Sequence, residues 1–245
     1  MIKKIDKPSG WAASEFGIVN FGDKRLSKRL LKISDSFANS PECSINQACE
    51  DWQQSKAAYR FFQNDSVSER KILESHITKT VERAKKHTII LAIQDTSYIS
   101  YKKHQKTKGL GIIAARIRSK ATNFQTHGLV MHTSFAVTTE GLPLWLLDQK
   151  IYSRPILDET IKELKKRSHN IALPIEEKES MRWIESLKNS HSAGLKNVNI
   201  VTICDREADI YDLFEVAYLN QFPFVVRAHQ DRTVNKKSLY SKKNW

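Results

Sequence analysis

The chain has 245 residues, 40% hydrophobic and 27% charged, with a formal charge of +13 and a pI near 9.6. That length allows one large domain or two smaller ones, each with its own core, and the cationic excess seeks a polyanion, nucleic acid first and an acidic membrane second. A membrane-spanning segment is not expected, because the longest apolar run, Ile89–Ile93, is far below the ~18 residues a span needs.

The opening MIKKIDKPSG has no apolar stretch of the kind a secretory leader carries, which predicts a cytoplasmic protein. Residues 23–37 read as an amphipathic helix. Leu26, Leu30, Ile33 and Phe37 form one apolar stripe, Arg25, Lys28, Arg29 and Lys32 lie opposite, and Asp23 is placed to cap the N-terminus. A basic helix face of this kind either lies on a phosphate backbone or is simply solvated. Residues 44–63 and 68–86 read as further helical stretches, so residues 1 to about 85 form a small helical domain.

From residue 86 to 245 the pattern changes. A β-branched run, HTIILAIQDTSYISY, stops being apolar at Asp95. Residues 128–152 read as a hairpin turning at Glu140 and Gly141, 176–190 as a helix, 198–204 as a strand, 208–219 as a helix and 222–230 as a strand. This order predicts a mixed α/β sheet with helices packed on it. Basic residues cluster in three tracts. Residues 101–120 carry seven basic residues and no acid, 1–37 carry eight against four, and 227–245 carry six against one. Three such tracts favour DNA or RNA as partner. Cys43, Cys49 and Cys204 are an odd count without metal-ligand spacing, and are expected to be small buried hydrophobes.

Asp95 and Asp205 are each expected at the end of a buried apolar strand. If their strands are neighbours in one sheet, the two carboxylates meet. They then repel unless a divalent cation lies between them, and Mg²⁺ is commonly held by one or two carboxylates together with substrate phosphates. A basic protein with such a pair points to metal-assisted phosphoryl transfer. The alternative is that an Asp after a strand is a turn former or a helix cap, a role open to Asp205. Glu207, Asp209 and Asp212 read as first-turn residues favoured by the helix dipole.

These residues together resemble a family. CDREADIYDLF (204–214) resembles the second catalytic block of the DDE transposases of the insertion-sequence-four group typified by the Tn-five element, AIQDTSYISY (92–101) the first block, and KESMRW (178–183) the segment shortly before the second. WAASEFGIVNFGDKRLSKRL (11–30) and AYRFFQN (58–64) are similar to the group's DNA-end-binding domain, and HTSFAVTTEGLPLWLLDQKIYSR (132–154) to its central strands. The resemblance implies a ribonuclease-H-like core after the helical domain. It implies two Mg²⁺ (or Mn²⁺) ions with Asp95 and Asp205 as the first two ligands. It also implies hydrolysis of a phosphodiester at the transposon end, followed by hairpin closure and attack on target DNA by the freed 3′-hydroxyl. Its partners would be double-stranded transposon ends bound by a dimer, in a nucleoid-associated protein, and the helix carrying Lys24, Arg25, Lys28 and Arg29 matches the part that grips the end.

The resemblance is incomplete in two respects. The group's third ligand, a Glu in a Tyr-x₂-Arg-x₃-Glu-x₆-Lys pattern, has no counterpart in these 245 residues, nor has the C-terminal dimerisation region. The expectation is a C-terminally truncated chain, without the final catalytic helix, that is inactive alone. It would act as part of a split transposase, as a non-catalytic DNA-binding inhibitor of transposition, or as a decayed remnant. An unrelated ribonuclease-H-like nuclease would need a third carboxylate, with Glu163 and Glu185 as candidates.

Overall fold

The computed structural model describes residues 10–49, 51–101, 107–119, 122–154, 173–229, 231, 233–234 and 237–238. Lys102, Lys103, Lys106 and Lys120 of the central basic tract, most of the C-terminal tract and Glu163 lie outside the described residues. The chain divides into two compact units, Met1–Glu82 and Arg83–Trp245.

The first unit contains α1 (Trp11–Phe16), α2 (Lys24–Asn39), α3 (Ile45–Ala48), α4 (Trp52–Phe62) and most of α5 (Glu69–Ala84). Asp23 caps α2 as its sequence predicts, its side chain accepting the Arg25 N–H at 2.8 Å. Gly22, at φ +86°, turns the chain into that cap, a conformation costly for any residue with a Cβ. The stripe of α2 supplies Leu30 and Ile33 to a core with Val19, Phe21, Cys49, Ala58 and Phe61, and Leu26 and Phe37 pack against it. Phe21 meets Phe61 edge to face at 5.8 Å. Two features were not anticipated. The short α1 precedes α2, and the helical stretch 44–63 is two helices. Ser44 and Gln47 make a capping box for α3, and Asp51 caps α4 by accepting the Gln54 N–H at 2.7 Å. Cys49 is buried as expected, whereas Cys43 is exposed, lying in the turn between α2 and α3.

The second unit is built on β1 (Ile89–Ser100), β2 (Gly111–Ser119), β3 (Thr122–Thr138), β4 (Pro143–Tyr152), β5 (Asn199–Cys204) and β6 (Phe224–Val226), with α6 (Met181–His191) and α7 (Tyr211–Leu219); β7 (Thr233–Val234) and β8 (Lys237–Ser238) pair separately. The sheet order is β2-β3-β1-β5-β6, with β4 beside the second half of β3. β1 is antiparallel to β3 and parallel to β5, and β6 continues the parallel side. This is a mixed α/β fold, with antiparallel strands on one side of β1 and parallel ones on the other. β2 was hidden at sequence level inside the central basic tract. The hairpin turn between β3 and β4 is where it was expected, with Gly141 at φ +88° donating to the Thr138 carbonyl.

Alternation along the strands decides which face is covered. Ile90, Ala92 and Gln94 of β1, His132 and Ser134 of β3, and Ile200, Thr202 and Cys204 of β5 are buried. They belong to the face on which α6 lies, where His132 packs edge to face on Trp183 at 4.6 Å and Ser190 donates to Ser134 at 2.7 Å. Trp183, Ile184 and Leu187 of α6 and Leu213 and Ala217 of α7 complete that core. The residues between them on β1 and β5, including Ile93, point to the opposite face and are more exposed.

Candidate functional site

Parallel pairing brings the two predicted aspartates together. The β1–β5 register runs from Ile89↔Asn199 to Gln94↔Cys204. Asp95 and Asp205 are therefore the next residues on strands about 4.8 Å apart. Gln94 and Cys204 are buried on the α6 side, so both aspartates project from the opposite face, and both are exposed. The two positions differ in one way from expectation. β5 ends at Cys204, but β1 continues five residues past Asp95 to Ser100, because β3 goes on pairing with it from Asp95↔Thr133 to Ser100↔Gly128.

A backbone amide holds one oxygen of each carboxylate. Asp95 Oδ1 accepts the Thr96 N–H at 2.8 Å, and Asp205 Oδ1 accepts the Glu207 N–H at 2.9 Å. Asp205 is thus also the cap of the 3₁₀ turn Arg206–Ala208. The capping role leaves its carboxylate exposed beside Asp95, so the cap and ligand readings are compatible. Two hard, exposed carboxylates on neighbouring strands suit a divalent cation that keeps water or phosphate oxygens in its remaining positions. They do not make a closed protein cage: among the described residues no cluster of three or more His, Cys, Asp or Glu is placed to hold a metal.

The other acids of this region have different work. Asp209 is buried and accepts the His229 N–H at 2.7 Å, so it is not a first-turn helix residue as its sequence position implied. Asp212 does lie in the first turn of α7. Glu185 pairs with Lys150. Glu207 accepts from Arg182 at 2.9 Å. Arg182, which sequence reasoning did not single out, is itself buried and also donates from Nε to Thr96 Oγ1 at 3.0 Å. Thr96 Oγ1 lies 2.9 Å from His132 Nδ1. Burial first, and then the charges of Arg182 and Lys150, push the His132 imidazolium down to about 4, so the ring is neutral at physiological pH.

In the helical unit, Lys24, Arg25, Lys28 and Lys32 of α2 are exposed and Arg29 is half-buried. Lys24 and Arg25 stand in the first turn of α2, which carries no acid. Cations there oppose the helix macrodipole, an arrangement that an incoming phosphate would relieve. Asp23 offsets part of this, pairing with the Arg25 guanidinium at 2.9 Å, which holds the Asp23 carboxyl below its usual range.

A second candidate surface was missed. Trp52, Lys56, Tyr59 and Gln63 recur at helical spacing along α4 and, with Arg60, Asn46 and Asp51, line a groove of about 830 Å³. Trp52 is 71% exposed, and the Lys56 ammonium sits 4.8 Å from its ring centroid. Exposed aromatic rings interleaved with cations suit stacking and phosphate contacts together. The signal was present in the spacing of WQQSKAAYRFFQ, where an aromatic, a lysine and an arginine share one helical face.

Residues 8–67 match the family model described as transposase DNA-binding. Among solved structures, the chain matches that of the Mos1 strand transfer complex with 11% identity and a TM-score of 0.27, over 81% of this chain and 57% of that one. The chain thus spans less than two thirds of the length of that solved chain.

Proposed function

We propose, from the premise that residues 8–67 match a transposase DNA-binding model, that this chain is a DNA-binding transposase component of the Tn-five-like group. That match is the observation that carries the reading, because it covers α1 to α4 and so both candidate DNA-contacting surfaces. Lys24, Arg25, Lys28 and Arg29 of α2 contact phosphates of the duplex at a transposon end, and Trp52, Lys56, Tyr59 and Arg60 of α4 supply a second line of contact. Phosphate contacts position a protein on the duplex without specifying sequence.

In the sheet unit, Asp95 and Asp205 would hold Mg²⁺ or Mn²⁺, with water or phosphate oxygens of a DNA strand completing its shell. The ion would activate an attacking oxygen and stabilise a leaving one. The two aspartates orient it, each fixed at one oxygen by a neighbouring amide. A third acidic ligand is needed to complete the site of this group. We therefore propose that these residues bind DNA and a divalent cation, and that strand cleavage needs a third acidic ligand besides Asp95 and Asp205.

The test is fluorescence anisotropy on a mixed-sequence duplex of about 20 base pairs at several salt concentrations. Binding should weaken steeply with salt, with a slope of about −0.9 per phosphate contacted. Lys28→Glu with Arg29→Glu should reduce the slope by about two and weaken binding at every salt concentration. Asp95→Asn should leave DNA affinity in the absence of metal unchanged. A slope near zero, or charge reversals without effect, would falsify the assignment.

A further inference from the structure

We propose that Arg182 is the positioning residue of the Asp95–Asp205 pair, setting the separation at which both carboxylates engage one divalent cation. The inference rests on the reading of that pair as a cation site. Its basis is a chain of bonds with the same form on both sides. The Thr96 amide holds Asp95, and the Thr96 hydroxyl accepts from Arg182 Nε at 3.0 Å. The Glu207 amide holds Asp205, and the Glu207 carboxylate accepts from Arg182 Nη2 at 2.9 Å. One guanidinium therefore fixes the two residues whose main chains fix the two carboxylates. Its third nitrogen, Nη1, donates to the Glu179 carbonyl at 3.0 Å, tying the fork to the start of α6.

The strut is itself braced. Arg182 is flanked on α6 by Trp183, which is buried beneath the sheet, so the helix cannot rotate without breaking the core. The Glu179 carboxylate accepts from the Tyr152 hydroxyl at 3.0 Å and pairs with Arg154 at 2.9 Å. Arg154 in turn lies over the Tyr98 ring at 5.2 Å. A planar fork with donors in fixed directions reaches three acceptors at once, which a lysine ammonium on a flexible stem does not reproduce. Burying a guanidinium is costly unless every donor is used, and an apolar side chain of similar volume would often be as stable. The arginine is therefore explained by what it holds in place.

The experiment measures Mn²⁺ affinity of the full chain by electron paramagnetic resonance, alongside the urea midpoint without metal. Asp95→Asn and Asp205→Asn should each abolish high-affinity binding. Arg182→Met should weaken it about 10–100-fold, the range for residues that orient metal ligands from behind, and Arg182→Lys should recover only part of the loss. Thr96→Val combined with Glu207→Leu removes both side-chain acceptors while leaving Arg182 in place. It should weaken Mn²⁺ binding likewise, and it carries the test if Arg182→Met does not fold. A merely structural role would lower the urea midpoint and leave the affinity of the folded protein untouched. Wild-type affinity in Arg182→Met or in the Thr96/Glu207 double variant, with binding lost in Asp95→Asn, would overturn the positioning role and leave the cation site standing. Mn²⁺ binding indifferent to Asp95→Asn and Asp205→Asn would overturn both.

Discussion

Each candidate DNA-contacting surface of the helical unit draws its cationic and aromatic side chains from a single helix. Lys24 to Lys32 fall within α2, and Trp52 to Gln63 within α4 and the residue after it. The acidic site of the sheet unit has no such local origin. Asp95 comes from β1 and Asp205 from the residue after β5, and the Thr96–Arg182 bond spans 86 positions in the chain. A helix face forms wherever the spacing is right, so a surface on it needs little else to be correct. A site between two strands exists only if the sheet order, the register and the packing of α6 are all correct. The first kind of site should survive damage to distant packing, and the second should not.

The sharpest way to break this contrast is to truncate one core at a time. Leu187→Ala removes a fully buried side chain of α6 and should cost about 2–5 kcal/mol. Phe61→Ala does the same to the helical core and should cost about 3–5 kcal/mol. Hydrogen exchange followed by mass spectrometry reports each unit separately. Leu187→Ala should deprotect β1, β3 and β5 while leaving α2 and α4 protected, and DNA binding should persist. Phe61→Ala should deprotect α2 and α4 and abolish DNA binding. Loss of protection in both units from either change would mean that they unfold as one, and the contrast between local and assembled sites would lose its meaning.

Acid offers a finer probe of the sheet unit. His132 titrates at about 4 in the folded protein because it is buried near Arg182 and Lys150, against about 6.5 in an unfolded chain. The unfolded state therefore binds more protons between these values, and stability that is present above pH 6.5 is lost as pH falls toward 4. The loss from His132 should be about 1–3 kcal/mol. His191, also pushed down to about 4 by burial, acts in the same direction. Urea midpoints measured at steps between pH 7 and pH 4 should fall, and His132→Gln should flatten the curve. An unchanged slope in that variant would place the acid sensitivity elsewhere.

The same contrast governs what could be read from the residues. Helix α2 was legible from the Leu26–Leu30–Ile33–Phe37 stripe and the Asp23 cap, since both are local signals. The hairpin between β3 and β4 was legible from Glu140 and Gly141, and the mixed sheet from the order of its runs. That Asp95 and Asp205 adjoin rested on the guess that their strands neighbour each other, and the parallel register now supplies that step. β2 escaped notice because its run GIIAARIRS carries arginines inside a basic stretch, and its partner β3 is what makes it a strand. The break between α3 and α4 was missed although Asp51 is a plain capping residue, because the apolar periodicity runs on across it. Arg182 was not singled out, since the two side chains that give it its place, those of Thr96 and Glu207, are distant in sequence, and its neighbours Glu179 and Trp183 mark it as no more than a helix-surface arginine.

The smallest expected effects compare the two capping aspartates. Asp51 accepts the Gln54 N–H at 2.7 Å, and Asp23 accepts the Arg25 N–H at 2.8 Å. Replacing Asp51 by Ala should cost about 0.5–2 kcal/mol of helix stability, and replacing Asp23 should likewise loosen the start of its helix. Their consequences for DNA binding should nevertheless differ. Asp51→Ala loosens the first turn of α4, where Trp52 stands, and should weaken binding slightly. Asp23→Ala removes the anion that competes with phosphate for the Arg25 guanidinium, and exposed pairs of this kind contribute little to stability. The released charge should strengthen binding and steepen its salt dependence by up to about one contact. Anisotropy titrations of the two variants side by side distinguish the outcomes: equal weakening in both would mean that Arg25 does not touch the duplex, and that the DNA-facing charge of α2 lies further along the helix, at Lys28 and Arg29.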